Sequence, residues 1–319
     1  MPNHPLESVN VYLIGDEEEW SLVDCGLPCQ AAFESLEQQI NDLGIRIEDI
    51  DNLLITHSHP DHSGLAERIK RISGAKVYVH KNDAPIVTGK EKEMFMVPGS
   101  IQHWLEINGM PKQTIPEQIF PDPNFNNQAP CEVDIELEGG EVVNLGSITL
   151  EVIWTLGHSM GHVCYYDREN RMLFTGDHIL PIITPAIAVM PGTHENPLAG
   201  FMESMNVLEK YEVDLVLPAH QQPFTDLHGR LRELREHHNQ RLSETYNNLE
   251  EVGRSAFQIM IELNWTGIGG EIIKGRALPA SEQPIAICET LAHLEFLRSN
   301  GSVVKTTDEP VVLYKKTNS

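Results

Sequence analysis

The 319-residue sequence is poor in basic side chains and has no long apolar run. Lysine plus arginine number 23 against 47 for aspartate plus glutamate, so the formal net charge is −24. A field of this sign repels phosphate backbones and anionic lipid, which argues against nucleic acid or a membrane as the partner. The start of the chain lacks the basic and apolar stretches of a signal peptide, so we expect a cytoplasmic protein.

Cysteine is also scarce, with five residues scattered along the chain: Cys25, Cys29, Cys131, Cys164 and Cys288. An odd, dispersed set in a long chain is not a disulfide framework. Cys25 and Cys29 form the one close pair, and no second pair completes a structural zinc site. We therefore expect reduced thiols.

The composition, with 40% hydrophobic and 22% charged residues, is that of an ordinary globular protein and excludes a disordered or fibrous chain. Short β-like runs alternate with amphipathic helical segments, which predicts an α/β fold. The runs 135–143 and 148–153 predict a hairpin. Residues 90–130 contain six prolines and interrupt this alternation of strands and helices, which indicates a lid-like insertion.

A second domain is expected after a first domain at 1–226. Residues 227–319 begin with a highly charged helix, followed by two further helical segments and two strands around 307–310. Helices followed by a small hairpin resemble a winged-helix module. Residues 241–319 carry eight basic and ten acidic side chains, so this module lacks the basic face of a typical DNA reader.

The strongest chemical signal is the run from Thr56 to His62, which reads Thr-His-Ser-His-Pro-Asp-His. His57 and His59 are two residues apart on extended backbone and project to the same side, so both imidazoles can meet one ion. Asp61 and His62 follow a proline and turn toward a neighbouring point. A solvated histidine-rich loop is the alternative interpretation of this run alone.

Three further metal-binding side chains follow other short apolar strands: His158, Asp177 and His220. Loops at strand ends are where a rigid scaffold presents ligands. Five histidines and two carboxylates are enough to hold two divalent ions with a bridging carboxylate and a bridging hydroxide.

These motifs resemble the metallo-β-lactamase fold superfamily of hydrolases, whose signature is His-x-His-x-Asp-His, over residues 9–224. The resemblance implies an αβ/βα sandwich. It implies a first metal held by His57, His59 and His158, and a second held by Asp61, His62 and His220. Asp177 would bridge the two, and Asp24 would brace the metal loops.

The sequence departs from the common family pattern at Cys25 and Leu156, neither of which is a ligand position. The basic residues that bind glutathione in glyoxalase II have no evident counterpart. The tail resembles the branch that contains lactamase-B-like ribonucleases and polyketide thioesterases. His162 and His178 adjoin ligands, and we expect them to orient loops rather than coordinate metal.

The function expected is a binuclear metallohydrolase in which a metal-bridging hydroxide attacks a small ester-type substrate, with a thioester or lactone favoured. Asp61 would orient the nucleophile and pass a proton to the leaving group. Five histidine ligands favour Zn²⁺, with iron or manganese as alternatives. Histidine at position 59, where related oxygen reductases usually have glutamate, favours hydrolysis.

Two other functions stay open. The tail suggests a metal-dependent single-strand ribonuclease, although the lack of clustered basic residues argues against it. A non-catalytic partner-binding protein with a vestigial metal site is the other alternative, and the intact ligand set argues against that. A homodimer is also left open.

Overall fold

The structure is a computed structural model that describes residues 8–16, 19–92, 97, 99–117, 119, 127–266, 271–306 and 310–317. It divides into two compact units. The first comprises Met1–Lys92, Asp122–Pro185 and Glu203–Leu231, and the second comprises Glu93–Pro121, Ala186–Met202 and Arg232–Ser319. Both units are therefore discontinuous in sequence, and the continuous domains 1–226 and 227–319 stay a prediction.

The first unit contains two five-stranded sheets. The strands of one sheet lie in chain order: β1 (Tyr12–Gly15), β2 (Trp20–Val23), β3 (Ile50–Leu54), β4 (Lys76–His80) and β5 (Ile135–Leu137). β1 and β2 are antiparallel, and the later neighbours are parallel. Parallel neighbours need crossover connections; α1 (Gln30–Asp42) lies in the connection between β2 and β3, and α3 (Ala66–Ser73) in that between β3 and β4.

The second sheet has its strands in reverse chain order. They are β10 (Leu215–Pro218), β9 (Met172–Gly176), β8 (Val163–Asp167), β7 (Ile148–Trp154) and β6 (Val142–Leu145). β10 and β9 are parallel, and the other neighbours are antiparallel. The α/β class predicted from the sequence is therefore confirmed.

Alternation along the strands of the first sheet sends neighbouring side chains into two different cores. Leu22 and Leu53 join a core with α1 and α3 on one face. Val23 and Leu54 join the other core, which also contains Tyr165 and further residues of the second sheet. Successive side chains on a strand point to opposite faces, so one face packs on helices and the other on the second sheet.

The prediction that residues 135–143 form a single hairpin strand is wrong. Ile135–Leu137 pairs in parallel with β4 in the first sheet, whereas Val142–Leu145 pairs with β7 in the second. Between them, Gly139 and Gly140 both have positive φ, at 100° and 93°. Glycine reaches this region without a Cβ penalty, so the chain turns here and passes from one sheet to the other.

The remaining elements include short helices and small hairpins. The helices are α2 (Pro60–Ser63), α4 (Ala84–Val87), α5 (Ser100–Ile107), α6 (Pro197–Leu208), α7 (Leu227–Asn247), α8 (Ala256–Met260) and α9 (Gln283–Ser299). Two antiparallel pairs follow in the second unit: β11 (Asn264–Thr266) with β12 (Ile272–Lys274), and β13 (Val303–Thr306) with β14 (Leu313–Lys316). The sequence analysis missed the pair β11 and β12.

The proposed lid, residues 90–130, is partly described. It contains α5, which buries Ile101 and Leu105, and the Trp104 Nε1 donates to the carbonyl oxygen of Val189 at 3.1 Å. Residues 93–96, 98, 118 and 120–126 lie outside the described residues. Among the described helices, none has both the length and the apolar character that crossing a membrane requires.

Candidate metal centre

The run from His57 to His62 lies at the carboxyl end of β3, where a buried strand leads into a short helix. His59 is still extended, with φ −57° and ψ 145°, and Pro60 is the first residue of α2. Asp61 and His62 lie on α2 itself. The proline ends the extended segment, as predicted, and therefore separates the direction of the first two imidazoles from that of Asp61 and His62.

Three histidines converge as a first group. Nε2 of His57 lies 2.9 Å from Nδ1 of His59, and Nε2 of His158 lies 3.0 Å from the same atom. His158 follows β7, about a hundred residues further along the chain. Imidazoles that share one tetrahedral ion at about 2.0 Å place their nitrogens roughly 3.3 Å apart, so this spacing suits a single cation.

A second group contains Asp61, His62, Asp177 and His220. Nε2 of His220 lies 3.4 Å from Oδ2 of Asp61 and 3.4 Å from Oδ1 of Asp177. Nε2 of His62 lies 3.6 Å from the same two oxygens. The sequence-predicted ligands from four separate parts of the chain are therefore brought together in the first unit.

The two oxygens of Asp177 face different groups. Oδ1 faces His62 and His220, whereas Oδ2 lies 3.6 Å from Nε2 of His158 in the first group. A carboxylate in this position can contact two cations at once. The geometry suits the bridging role that the family resemblance implies for Asp177.

A further observation indicates that these residues suit a bound cation. His62 Nε2, His220 Nε2 and Asp177 Oδ1 are buried and have no hydrogen-bond partner in the described part of the chain. Buried polar atoms are nearly always partnered in proteins, so three such atoms aimed at one another call for a shared ligand. Imidazole and carboxylate donors suit zinc and other first-row divalent ions.

The electrostatics differ between the two groups. Burial, with the neighbouring histidines, lowers the pKa of His59 to about 3 and that of His57 well below its usual value. Burial also acts to lower the pKa of His220, but Asp177 and Asp61 outweigh it and raise that pKa to about 10. The pKa of His62 is raised for the same reason. His57 and His59 are therefore neutral at pH 7, whereas His62 and His220 hold protons that a cation must displace.

Asp24 braces the second group and the strand end together. Its Oδ2 accepts a hydrogen bond from Nδ1 of His62 at 2.8 Å, and its Oδ1 accepts one from the backbone N–H of Thr56 at 2.8 Å. Asp24 itself has a positive φ of 61°, which aspartate and asparagine tolerate better than most other residues with a Cβ. This is the bracing expected from the resemblance.

Contacts of two other histidines orient predicted ligands or the loops that carry them. Nδ1 of His220 donates to the carbonyl oxygen of Ser8 at 2.7 Å. Nε2 of His162 accepts from the backbone N–H of Asp177 at 3.1 Å, and Nδ1 of His162 lies 2.7 Å from the hydroxyl of Thr155. His162 thus orients a neighbouring loop, in agreement with the role expected for it.

The sequence analysis missed Asp83, a buried carboxylate in the turn after β4. It accepts hydrogen bonds from the loops that carry His57, His59 and His158. No local signal in the sequence distinguishes it from an ordinary aspartate in a turn before a proline, because its partners are about 25 and 80 residues away.

Comparison with known proteins shows the family of this chain. The family described as the metallo-beta-lactamase superfamily matches residues 4–220. A metallo-β-lactamase family protein from Thermus thermophilus has 28% sequence identity and a TM-score of 0.80, covering 99% of this chain and 96% of that one. A β-lactamase domain protein from Burkholderia ambifaria has 26% identity and the same TM-score, covering 99% and 89%.

Curated relatives are more distant in sequence. The probable metallo-hydrolase YqjP of Bacillus subtilis is 21% identical over 96% of this chain and 93% of its own length. The hydroxyacylglutathione hydrolase GloC of Haemophilus influenzae is 25% identical over 51% of this chain and 62% of its own length. The chain belongs to the metallo-β-lactamase superfamily, and the resemblance seen in the sequence is confirmed.

Proposed function

We propose that the chain is a binuclear metallohydrolase that cleaves a small ester-type substrate, with a thioester or a lactone favoured. The observation that carries the proposal is the position of Asp177. Its two oxygens face one histidine group each, and Oδ1 is buried without a hydrogen-bond partner in the described residues. Five histidines among the seven ligands favour Zn²⁺ over iron or manganese.

A pair of divalent ions supplies a water that is ionised at neutral pH and a Lewis acid for the substrate oxygen. His57, His59 and His158 would hold the first ion, while Asp61, His62 and His220 would hold the second. Asp177 would contact both. In the ion-free site, burial acts to raise the pKa of Asp61, but His62 and His220 outweigh it and hold that pKa at about 2.

The carboxylate of Asp61 is therefore ionised and can accept a hydrogen bond from the attacking water. We assign to it the orientation of that water and the later transfer of a proton to the leaving group. The carboxylate of Asp24 and the carbonyl oxygen of Ser8 fix Nδ1 of His62 and of His220, so that Nε2 of each ring faces Asp61 and Asp177 and would be free to hold the second ion. These contacts hold the second group in place before substrate arrives.

Two observations support an acyl substrate. One relative is named as a hydroxyacylglutathione hydrolase, and an acylglutathione is a thioester. The net charge of −24 disfavours a polyanionic substrate such as RNA. The winged-helix-like character of the tail and a cytoplasmic location belong to this proposal as expectations, and a homodimer stays open.

The test is a substrate panel. Zinc-loaded protein is incubated with acyl thioesters, lactones, nitrocefin and single-stranded RNA, and the same protein stripped with a chelator is the control. We expect turnover of a thioester or lactone that is lost on chelation and restored by Zn²⁺. Metal-dependent turnover of RNA alone would overturn the ester proposal, and the absence of turnover with stoichiometric metal would favour the partner-binding alternative.

A further inference from the structure

Asp83 joins the two loops that form the first histidine group. Its Oδ2 accepts a hydrogen bond from the backbone N–H of Ser58 at 2.8 Å and from the hydroxyl of Ser159 at 3.0 Å. Its Oδ1 accepts one from the backbone N–H of Gly161 at 2.7 Å. One carboxylate thus satisfies three donors from two distant parts of the sequence.

Two of these three donors lie directly beside predicted ligands. Ser58 lies between His57 and His59, and Ser159 follows His158. The backbone N–H of Val163 donates to the carbonyl oxygen of Thr56 at 2.8 Å and joins the bases of the two loops, but no backbone hydrogen bond between Ser58 and Ser159 or Gly161 is recorded among the described residues. Asp83 therefore adds a link beside the predicted ligands, between the His57–His59 loop and the loop of His158.

The site is built for a carboxylate. Asp83 is only 3% exposed, and a buried charge is costly unless hydrogen bonds compensate it. Ionised aspartate has two accepting oxygens, whereas asparagine replaces one with an amide that only donates. Gly161 also packs closely against Asp83, because a Cβ added at position 161 would lie 2.6 Å from Cγ of Asp83.

We propose that Asp83 is a positioning residue that holds the three histidines of the first group at the spacing one cation needs. This inference rests on the proposed metal site, but not on any substrate. The second group has separate supports, because Asp24 holds His62 and the carbonyl of Ser8 holds His220. Loss of Asp83 therefore weakens the binding of the first ion and leaves the binding of the second ion unchanged.

The experiment compares Asp83→Asn with Asp167→Asn in the full chain. Asp167 is the matched control, because it is also 3% exposed and its Oδ1 accepts a backbone N–H, that of Asn170, at 2.9 Å. Its turn after β8 contains no predicted ligand. Each protein is titrated with Zn²⁺ in a metal buffer, bound metal is counted, and Co²⁺ substitution gives a visible spectrum of each ion.

We expect Asp83→Asn to lower the binding affinity for one ion by about 10- to 100-fold and to remove the Co²⁺ bands of that ion, while the other ion stays bound. Asp167→Asn should bind both ions as the wild type does. Unchanged binding in Asp83→Asn, or an equal loss of both ions, would overturn the inference.

The wild type is titrated first, so that two failures can be told apart. A wild type that binds fewer than two ions contradicts the proposed function, whereas a wild type with two ions and an unaffected Asp83→Asn contradicts the positioning role alone. If Asp83→Asn does not fold, Ser159→Ala removes one of the three hydrogen bonds and leaves the carboxylate in place. We expect a smaller weakening of the same ion, and no change in that variant would overturn the inference.

Discussion

Nδ1 of His62 donates a hydrogen bond to Oδ2 of Asp24 at 2.8 Å, and both side chains are buried. This contact keeps a proton on Nδ1, the ring nitrogen that faces away from the site. It therefore directs Nε2 of His62 toward Asp61 and Asp177. A carboxylate behind a histidine ligand also raises the basicity of that ligand.

Replacing Asp24 should release His62. In Asp24→Asn one accepting oxygen becomes an amide donor, which faces either His62 or the backbone N–H of Thr56. We expect the affinity for the ion of the second group to fall by about 10- to 100-fold, as measured by competition with a chromophoric chelator. Asp42→Asn, at an exposed position, is the control. Equal affinities in the two variants would contradict this role for Asp24.

The position of Asp177 between the two groups gives a prediction about stoichiometry. Asp177→Ala removes a carboxylate that faces both groups, so the bound metal should fall below two ions per chain. Metal analysis after equilibration at fixed free Zn²⁺ measures this, with Asp214→Ala, an exposed carboxylate of the same unit, as the control. Two ions in Asp177→Ala would show that Asp177 is not the bridge.

Much of this site can be predicted from the sequence because its predicted ligands follow short strands. A strand end is a local feature, and His57, His158, Asp177 and His220 each stand within four residues of one. The proline after His59 is also local, and it separates the direction of the first imidazoles from that of Asp61 and His62. Such signals need no knowledge of which strands pair.

What the sequence leaves out depends on contacts between distant segments. Nothing near Asp83 shows that it accepts hydrogen bonds from Ser58 and Gly161. The run 135–143 alternates like one strand, and only the pairing partners divide it between two sheets. Its two glycines signal the turn, but a hairpin within one sheet and a crossing between sheets have the same local pattern.

The raised pKa values of His62 and His220 predict that metal binding is linked to proton release. Without metal, the neighbouring carboxylates keep both imidazoles protonated at pH 7, whereas a ligand nitrogen must be free of its proton. The affinity of the second group should therefore increase from pH 7 toward pH 10. His57 and His59, whose pKa values are lowered mainly by burial, contribute no such dependence.

Calorimetry in two buffers with different ionisation enthalpies measures the protons released per ion. Asp177→Asn is the informative variant, because loss of that charge lowers the pKa of His220 and should reduce the proton release. A release that is the same in Asp177→Asn and in the wild type would contradict this origin of the linkage.

A second pair of buried histidines predicts acid sensitivity in the other compact unit. Nδ1 of His293 donates to the carbonyl oxygen of Glu289 at 2.8 Å, and Nε2 of His293 lies 3.2 Å from Nδ1 of His238. Burial lowers the pKa of His293 to about 3, and burial together with His293 lowers that of His238 to about 2. Both rings are thus neutral in the folded chain at pH values where the unfolded chain is protonated.

The sign of the effect follows from proton counting. Between about pH 6.5, the usual histidine pKa, and pH 3 the unfolded chain binds more protons, so the free energy of unfolding must fall as the pH is lowered through this window. His293→Gln keeps a donor for Glu289 and an acceptor for His238 but does not titrate. Urea unfolding of metal-free protein at several pH values gives the free energy of unfolding as a function of pH. We expect this free energy to depend less steeply on pH in His293→Gln than in the wild type. The control is His194→Gln, which alters an exposed histidine and should behave as the wild type does. Identical slopes in all three proteins would mean that His293 is not the origin of the acid sensitivity.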